Sequence, residues 1–144
     1  MNKTYEGDVT AAACWTALAE KPDAFLIDVR SRAEWTFVGV PVLDAVGKET
    51  LLTEWQTYPT MAVDPDFTAK VDAAVKAAGG SADSELYFLC RSGARSMSSA
   101  AAMTAAGYQH CFNVLGGFEG PPNEEGHRGE RAGWKADGLP WAQQ

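Results

Sequence analysis

Cys90 stands where an apolar run, Leu86 to Leu89, meets Arg91-Ser92-Gly93-Ala94-Arg95-Ser96. A thiol placed where a strand ends and a helix begins sits at the positive end of the helix dipole, with loop amides free to point at it. Arg91 and Arg95 add positive charge, and all three effects favour thiolate over thiol. Gly93 supplies the backbone freedom needed to curl a short loop around one sulfur. By type alone, a cysteine at the end of an apolar run is usually a small packed hydrophobe. Two arginines, a serine and a glycine in the next few positions instead compose an anion cradle, and burying that without a function would be costly. The chemistry they suggest is nucleophilic and covalent, with sulfur as the attacking atom.

The remaining candidates for chemistry are weaker. Cys14 and Cys111 have no neighbouring cations and read as core thiols. Three widely spaced cysteines without a CxxC or a Cys/His pair suggest neither a disulfide framework nor a zinc site. His110 and His127 lack ligand-like neighbours, so no metal is expected, and no cofactor is implied. Trp35, Trp55, Trp134 and Trp141 read as packing residues, one of which could line the pocket mouth.

The elements that must position Cys90 follow from apolar periodicity and breakers. Asp8 or Thr10 caps a first helix with Ala11, Trp15 and Leu18 on one face and Pro22 beyond its end. Phe25 to Val29 reads as a buried parallel strand. Ser31-Arg32-Ala33-Glu34 forms a capping box that opens a short helix. Weaker strands are expected at Val40 to Leu43 and at Thr50 to Gln56. Asp64-Pro65 starts a helix striped by Phe67, Val71, Val75 and Ala78 and ended by Gly79-Gly80. Leu86 to Leu89 is a strand, Ser96 to Ala106 a helix, and Cys111 to Leu115 the last strand. Strands alternating with helices predict an α/β fold, a mainly parallel sheet with helices on both faces.

The chain has 144 residues, enough for one domain spanning 1–144, and its 46% apolar and 22% charged residues predict a folded, soluble protein. A net charge of -7 argues against nucleic acid or an anionic membrane as partner. The opening MNKTYEGDVT has no apolar run, so neither a signal peptide nor a membrane anchor is expected, and the cytoplasm is the expected location. Residues 121–144 change to a breaker-rich composition, but Trp134, Leu139 and Trp141 predict a tail packed back on the domain.

Taken in order, Leu26-Ile27-Asp28-Val29-Arg30 with Glu34-Trp35, the loop Cys90 to Ser96, and Asn113-Val114-Leu115-Gly116-Gly117-Phe118 resemble the rhodanese family over roughly residues 8–120. The resemblance implies the rhodanese-like fold and a ping-pong sulfur transfer from a small anionic donor such as thiosulfate to a thiol or protein acceptor. Cys90 would be the nucleophile and persulfide carrier. The amides of residues 91 to 95, Gly93 and Ala94 among them, would surround the sulfur. Arg91 and Arg95 would orient the donor, and Ser92 or Ser96 would hydrogen-bond the sulfur, although Ser96 could equally cap its helix. Asp28 and Arg30 match the family's Asp-x-Arg, which supports the loop, and an Arg30–Glu34 ion pair is the expected structural arrangement.

Spacing speaks to the reaction independently. Cysteine-dependent phosphatases and arsenate reductases use Cys-x5-Arg, whereas here the arginine comes one residue sooner, as Cys90-x4-Arg95. The smaller loop suits one extra sulfur better than a phosphate. The rivals are thus such a phosphatase or reductase and a non-catalytic binding module on the same fold. Gly39 to Ala45 departs from the family's pattern, and residues 44–66 with the tail exceed a minimal domain. Both segments could border the site and set the acceptor.

Overall fold

In a computed structural model, residues 4–57 and 59–143 form nine strands and four helices. In chain order these are β1 (Gly7–Val9), α1 (Ala11–Glu20), β2 (Ala24–Asp28), α2 (Arg32–Phe37), β3 (Val40–Pro41), β4 (Leu51–Leu52), β5 (Gln56–Thr57), β6 (Ala62–Val63), α3 (Phe67–Ala77), β7 (Glu85–Leu89), α4 (Ala94–Ala105), β8 (His110–Val114) and β9 (Trp141–Ala142). A 3₁₀ turn covers Asp44–Val46.

The main sheet has the order β1-β8-β7-β2-β4, and every pairing in it is parallel. All five residues of β2 are buried because the strand is covered on both faces. On one face Phe25, Ile27, Leu86 and Phe88 pack with Phe67, Val71 and Val75 of α3 and Ala100 and Met103 of α4. On the other, Leu26, Tyr87 and Leu89 pack with Cys14 and Leu18 of α1 and with Phe118 and Trp134 from the C-terminal segment. The fold is therefore the expected α/β arrangement, a mainly parallel sheet with helices on both faces.

Local signals act as expected at the caps. Thr10, not Asp8, caps α1, its hydroxyl accepting from the Ala13 amide at 3.1 Å. Ser31 and Glu34 close a reciprocal capping box at α2. Elsewhere tertiary contacts win. β1 was not legible, because three residues at a sheet edge carry too little periodicity. The expected strand from Thr50 to Gln56 is broken: β4 is two residues long, and beyond it the Thr53 and Trp55 amides bond irregularly to Asp28 O and Val29 O while Trp55 packs edge-on against Phe67. Helix α3 starts at Phe67 rather than Pro65, because the Asp64 carboxylate accepts from the Asp66 amide and holds that turn out of the helix. Ala78, expected on the apolar stripe, is an exposed C-cap.

The tail does fold back. Trp134 is fully buried, meets Trp15 edge-on at 5.9 Å and donates its indole N–H to Pro140 O at 2.7 Å. Strand β9 pairs antiparallel with β3, which explains why Val40 to Leu43 stands apart from the main sheet. If the tail is structural, Trp134→Ala should lower stability by ~3–5 kcal/mol in urea titrations; a loss below ~1 kcal/mol would make the tail an accessory.

Candidate functional site

Cys90 ends β7 at the carboxyl edge of the parallel sheet, where α4 begins. Gly93 caps α4 with φ 122°, a conformation that side-chain-bearing residues rarely adopt. That turn aims the Gly93 N–H at Cys90 Sγ, 3.0 Å away. Ser96 Oγ lies 3.2 Å from the same sulfur, and the thiol is almost wholly enclosed, at 2% exposure. Ser96 sits inside the first turn of α4 and is not its cap; its hydroxyl lies 3.1 Å from Gly93 O. Ser92 and Ala94 are exposed on the outer side of the loop.

Arg91 and Arg95 differ in kind. Arg91 is exposed, and its side chain has no hydrogen-bond or carboxylate partner among the described residues. Arg95 is held by Glu34 in a two-pronged ion pair, Nη1 to Oε1 at 2.6 Å and Nη2 to Oε2 at 2.9 Å. Burial pushes the Glu34 carboxyl up, but the Arg95 fork and the Ser31 amide and hydroxyl outweigh it and hold the carboxyl below its ordinary value. Glu34 hydrogen bonds in turn keep the Arg95 guanidinium above its own. Glu34 thus ties the cap of α2 to the start of α4.

The expected Arg30–Glu34 pair does not form. Arg30 turns back on Asp28, with Nε 2.9 Å from Oδ1 and Nη2 2.6 Å from Oδ2, and both side chains are fully buried. The reason is directional: the capping box turns Glu34 toward Ser31, while Arg30 emerges at the strand end beside Asp28. Arg30 Nη2 also donates to Gly39 O at 2.7 Å, and the guanidinium lies 4.2 Å from the Phe118 ring centre. The Phe118 amide donates to Cys90 O at 2.7 Å. Asp28 and Arg30 therefore reach the Cys90 loop through Phe118.

Gly117 makes that approach possible. A Cβ there would lie 2.3 Å from Cys90 O, closer than any side chain could come. Glu119 and Gly120 amides both donate to Arg91 O at 3.0 Å, and the Trp134 amide donates to Gly117 O at 2.8 Å. Three segments thus stack: loop, Gly117-Phe118, and tail. The sequence resemblance marked Gly116-Gly117-Phe118, but nothing in it signalled the part played by residues near 133, nor the Glu34–Arg95 pair, whose members are 61 positions apart.

Outside the loop, an open depression of about 570 Å³ is lined by Glu34, Val38, Gln56, Met61, Arg91, Arg95, Glu119 and Arg128. Residues 44–66 and the tail both contribute to it. Cys14 and Cys111 lie in the two cores, where burial pushes the Cys14 thiol well up and the Cys111 thiol to about 11. Trp141 lies 38% exposed over Phe118, and the other three tryptophans singled out from the sequence pack inward. No cluster of His, Cys, Asp or Glu among the described residues could hold a metal ion, and no helix there is long and apolar enough to cross a membrane.

The sign of the Glu34 effect gives a test. A carboxyl held below its unfolded value stabilises the fold above the ordinary carboxylate range and loses that contribution as pH falls through the folded value. The stability gap between wild type and Glu34→Gln should therefore be widest at neutral pH and close toward about pH 3. A gap that stays constant across that range in urea titrations would mean the charge on Glu34 contributes nothing.

The comparisons agree with this architecture. A family model described as a rhodanese-like domain matches residues 10–120. Uncharacterized proteins of Rickettsia conorii and Rickettsia montanensis are each 34% identical over 134 residues, covering 93% of this chain and 95% of theirs. The crystal structure of Rv0390 from M. tuberculosis superposes with a TM-score of 0.85 at 42% identity, covering 97% of this chain and 99% of that one. The solution structure of the polysulfide-sulfur transferase homodimer from Wolinella succinogenes matches at TM-score 0.57 and 16% identity, over 98% of this chain and 80% of that one, which is a likeness of fold. By its loop, its sheet order and its matched residues, this chain belongs to the rhodanese-like domain family.

Proposed function

We propose that the protein is a sulfurtransferase that carries a sulfane sulfur on Cys90. The observation that carries this reading is the enclosed thiol, which takes a hydrogen bond from the Gly93 amide and sits at the start of a 12-residue helix. With 2% of Cys90 exposed, a donor must reach it with a narrow tip. The terminal sulfur of thiosulfate is such a tip; a phosphate ester, wrapped by three oxygens, is not. The short Cys90-x4-Arg95 spacing points the same way.

In the proposed reaction Cys90 first loses its proton to water. The thiolate attacks the outer sulfur of thiosulfate, a new S–S bond forms, and sulfite leaves with the electron pair of the old one. An acceptor nucleophile then attacks the outer sulfur of the persulfide and returns the electron pair to Cys90. The Gly93 amide and the helix start hold the negative charge on sulfur, an electrostatic role. Ser96 is the hydroxyl within reach of the sulfur, while Ser92 and Ala94 shape the rim of the loop. Arg91 meets the sulfonate end of the donor, and Arg95, neutralised by Glu34, keeps the loop in shape. Asp28 and Arg30 support the loop through Phe118. The depression beside Arg91 is open enough to admit a thiol acceptor or the tip of another protein.

Initial-rate thiocyanate formation from thiosulfate and cyanide tests this reading. Activity should vanish in Cys90→Ser. Arg91→Ala should raise the thiosulfate KM roughly tenfold with little change in kcat, the value of one charge-assisted hydrogen bond. Full activity in Cys90→Ser would reject the reading, and a normal KM in Arg91→Ala would reject the role of Arg91.

A further inference from the structure

Cys90 belongs to a run of hydrogen-bonded polar side chains that passes through Asp8 of β1 and Asn113 of β8. Tyr5 donates its hydroxyl to Asp8 Oδ1 at 2.8 Å, and Asn113 Nδ2 donates to the same oxygen at 3.1 Å. Asn113 Oδ1 lies 2.5 Å from Ser96 Oγ, which is 3.2 Å from Cys90 Sγ. Asn113 and Ser96 are both buried, at 1% and 0% exposure.

A single proton decides what this run does. The Ser96 hydroxyl has one hydrogen and three acceptors in reach: Asn113 Oδ1, Gly93 O and Cys90 Sγ. Asp8 fixes the Asn113 amide, because a reversed amide would turn its oxygen onto a carboxylate. With Nδ2 toward Asp8, Oδ1 can only accept, so the 2.5 Å contact takes the Ser96 proton. Ser96 then offers only lone pairs to Sγ. That suits a Cys90 S–H, which can donate to them. It opposes a thiolate, which has no proton to give and needs the Ser96 hydrogen turned toward it.

We propose that Asn113 is a positioning residue that sets the direction of the Ser96 hydroxyl. It keeps the Ser96 hydrogen on Asn113 Oδ1, and its removal frees that hydrogen to turn toward the Cys90 sulfur. The charged groups around the loop do not touch the Ser96 hydroxyl. Arg95 is paired with Glu34 although its charge still acts on Cys90, Arg30 is paired with Asp28, Arg91 faces solvent, and Asp8 is linked to the sulfur through Asn113 and Ser96. The inference rests on Cys90 being the reactive thiol, but not on which donor loads it.

The test is the rate of Cys90 alkylation by iodoacetamide as a function of pH, read by peptide mass spectrometry, in a double-mutant cycle. Asn113→Leu removes the nearer of the two acceptors that compete with the sulfur and leaves Gly93 O, so the half-maximal pH should fall by roughly one unit. In a Ser96→Ala background the same substitution should move it little, because the hydroxyl that responds is gone. An unchanged midpoint in Asn113→Leu, or a shift that persists in full without Ser96, overturns the proposal. If Asn113→Leu does not fold, Asp8→Asn serves instead: it lets the Asn113 amide reverse and should give the same Ser96-dependent shift. Alkylation needs no sulfur donor, so a failure of sulfur transfer would reject the proposed function while this measurement still stands or falls alone.

Discussion

A guanidinium with no exposure to water, Arg30, is the constraint on which the rest of the site depends. Taking it and Asp28 out of water carries a large desolvation penalty, and such a pair adds little net stability over an apolar replacement. What it adds here is position. Nε and Nη2 of Arg30 are taken by Asp28 and Gly39 O, Nη1 has no hydrogen-bond partner among the described residues, and the face of the guanidinium lies against Phe118. Phe118 is thereby fixed where its amide meets the Cys90 carbonyl. Loss of either charge would leave the other buried alone, so the pair permits one arrangement of the loop and penalises the others.

The thiol is assembled from distant pieces of chain on that frame. β7 delivers it to the sheet edge, Gly93 turns the first free amide of α4 onto it, and Gly117 lets the next segment pass within backbone contact of the loop. The tail then covers Gly117: a Cβ on Gly133 would lie 2.6 Å from Gly117 O. Glu34 closes the opposite side by binding Arg95. One cation of the loop is thus spent on architecture, and Arg91 is left as the loop cation without a partner among the described residues. In the proposed sulfur transfer, this division separates holding the loop from holding the donor.

Much of this arrangement is legible in the sequence. The alternation of strands and helices, the Thr10 and Ser31 caps, the buried runs of β2 and β7 and the inward turn of Trp134 all follow from local pattern, since burial and capping act within a few residues. The cysteine itself stood out because its neighbours were wrong for a core position. What could not be read are relations between segments. Arg30 and Glu34 are four apart and of opposite charge, which suits a helical pair, yet each found a partner that local spacing does not reveal. Asn113 lay in a marked motif, but its link to Asp8 depends on β8 lying beside β1. The short strands β1, β4 and β9 exist because a neighbour pairs with them, and a run of two or three residues carries no period.

Whether Cys90 carries sulfur is tested most simply by intact-protein mass spectrometry after brief exposure of the reduced protein to thiosulfate, with Cys90→Ser alongside. Wild type should gain one sulfur atom, removed by reductant and absent from the variant. A folded, reduced wild type that gains no sulfur from thiosulfate or from any other sulfane donor would contradict sulfur transfer through Cys90.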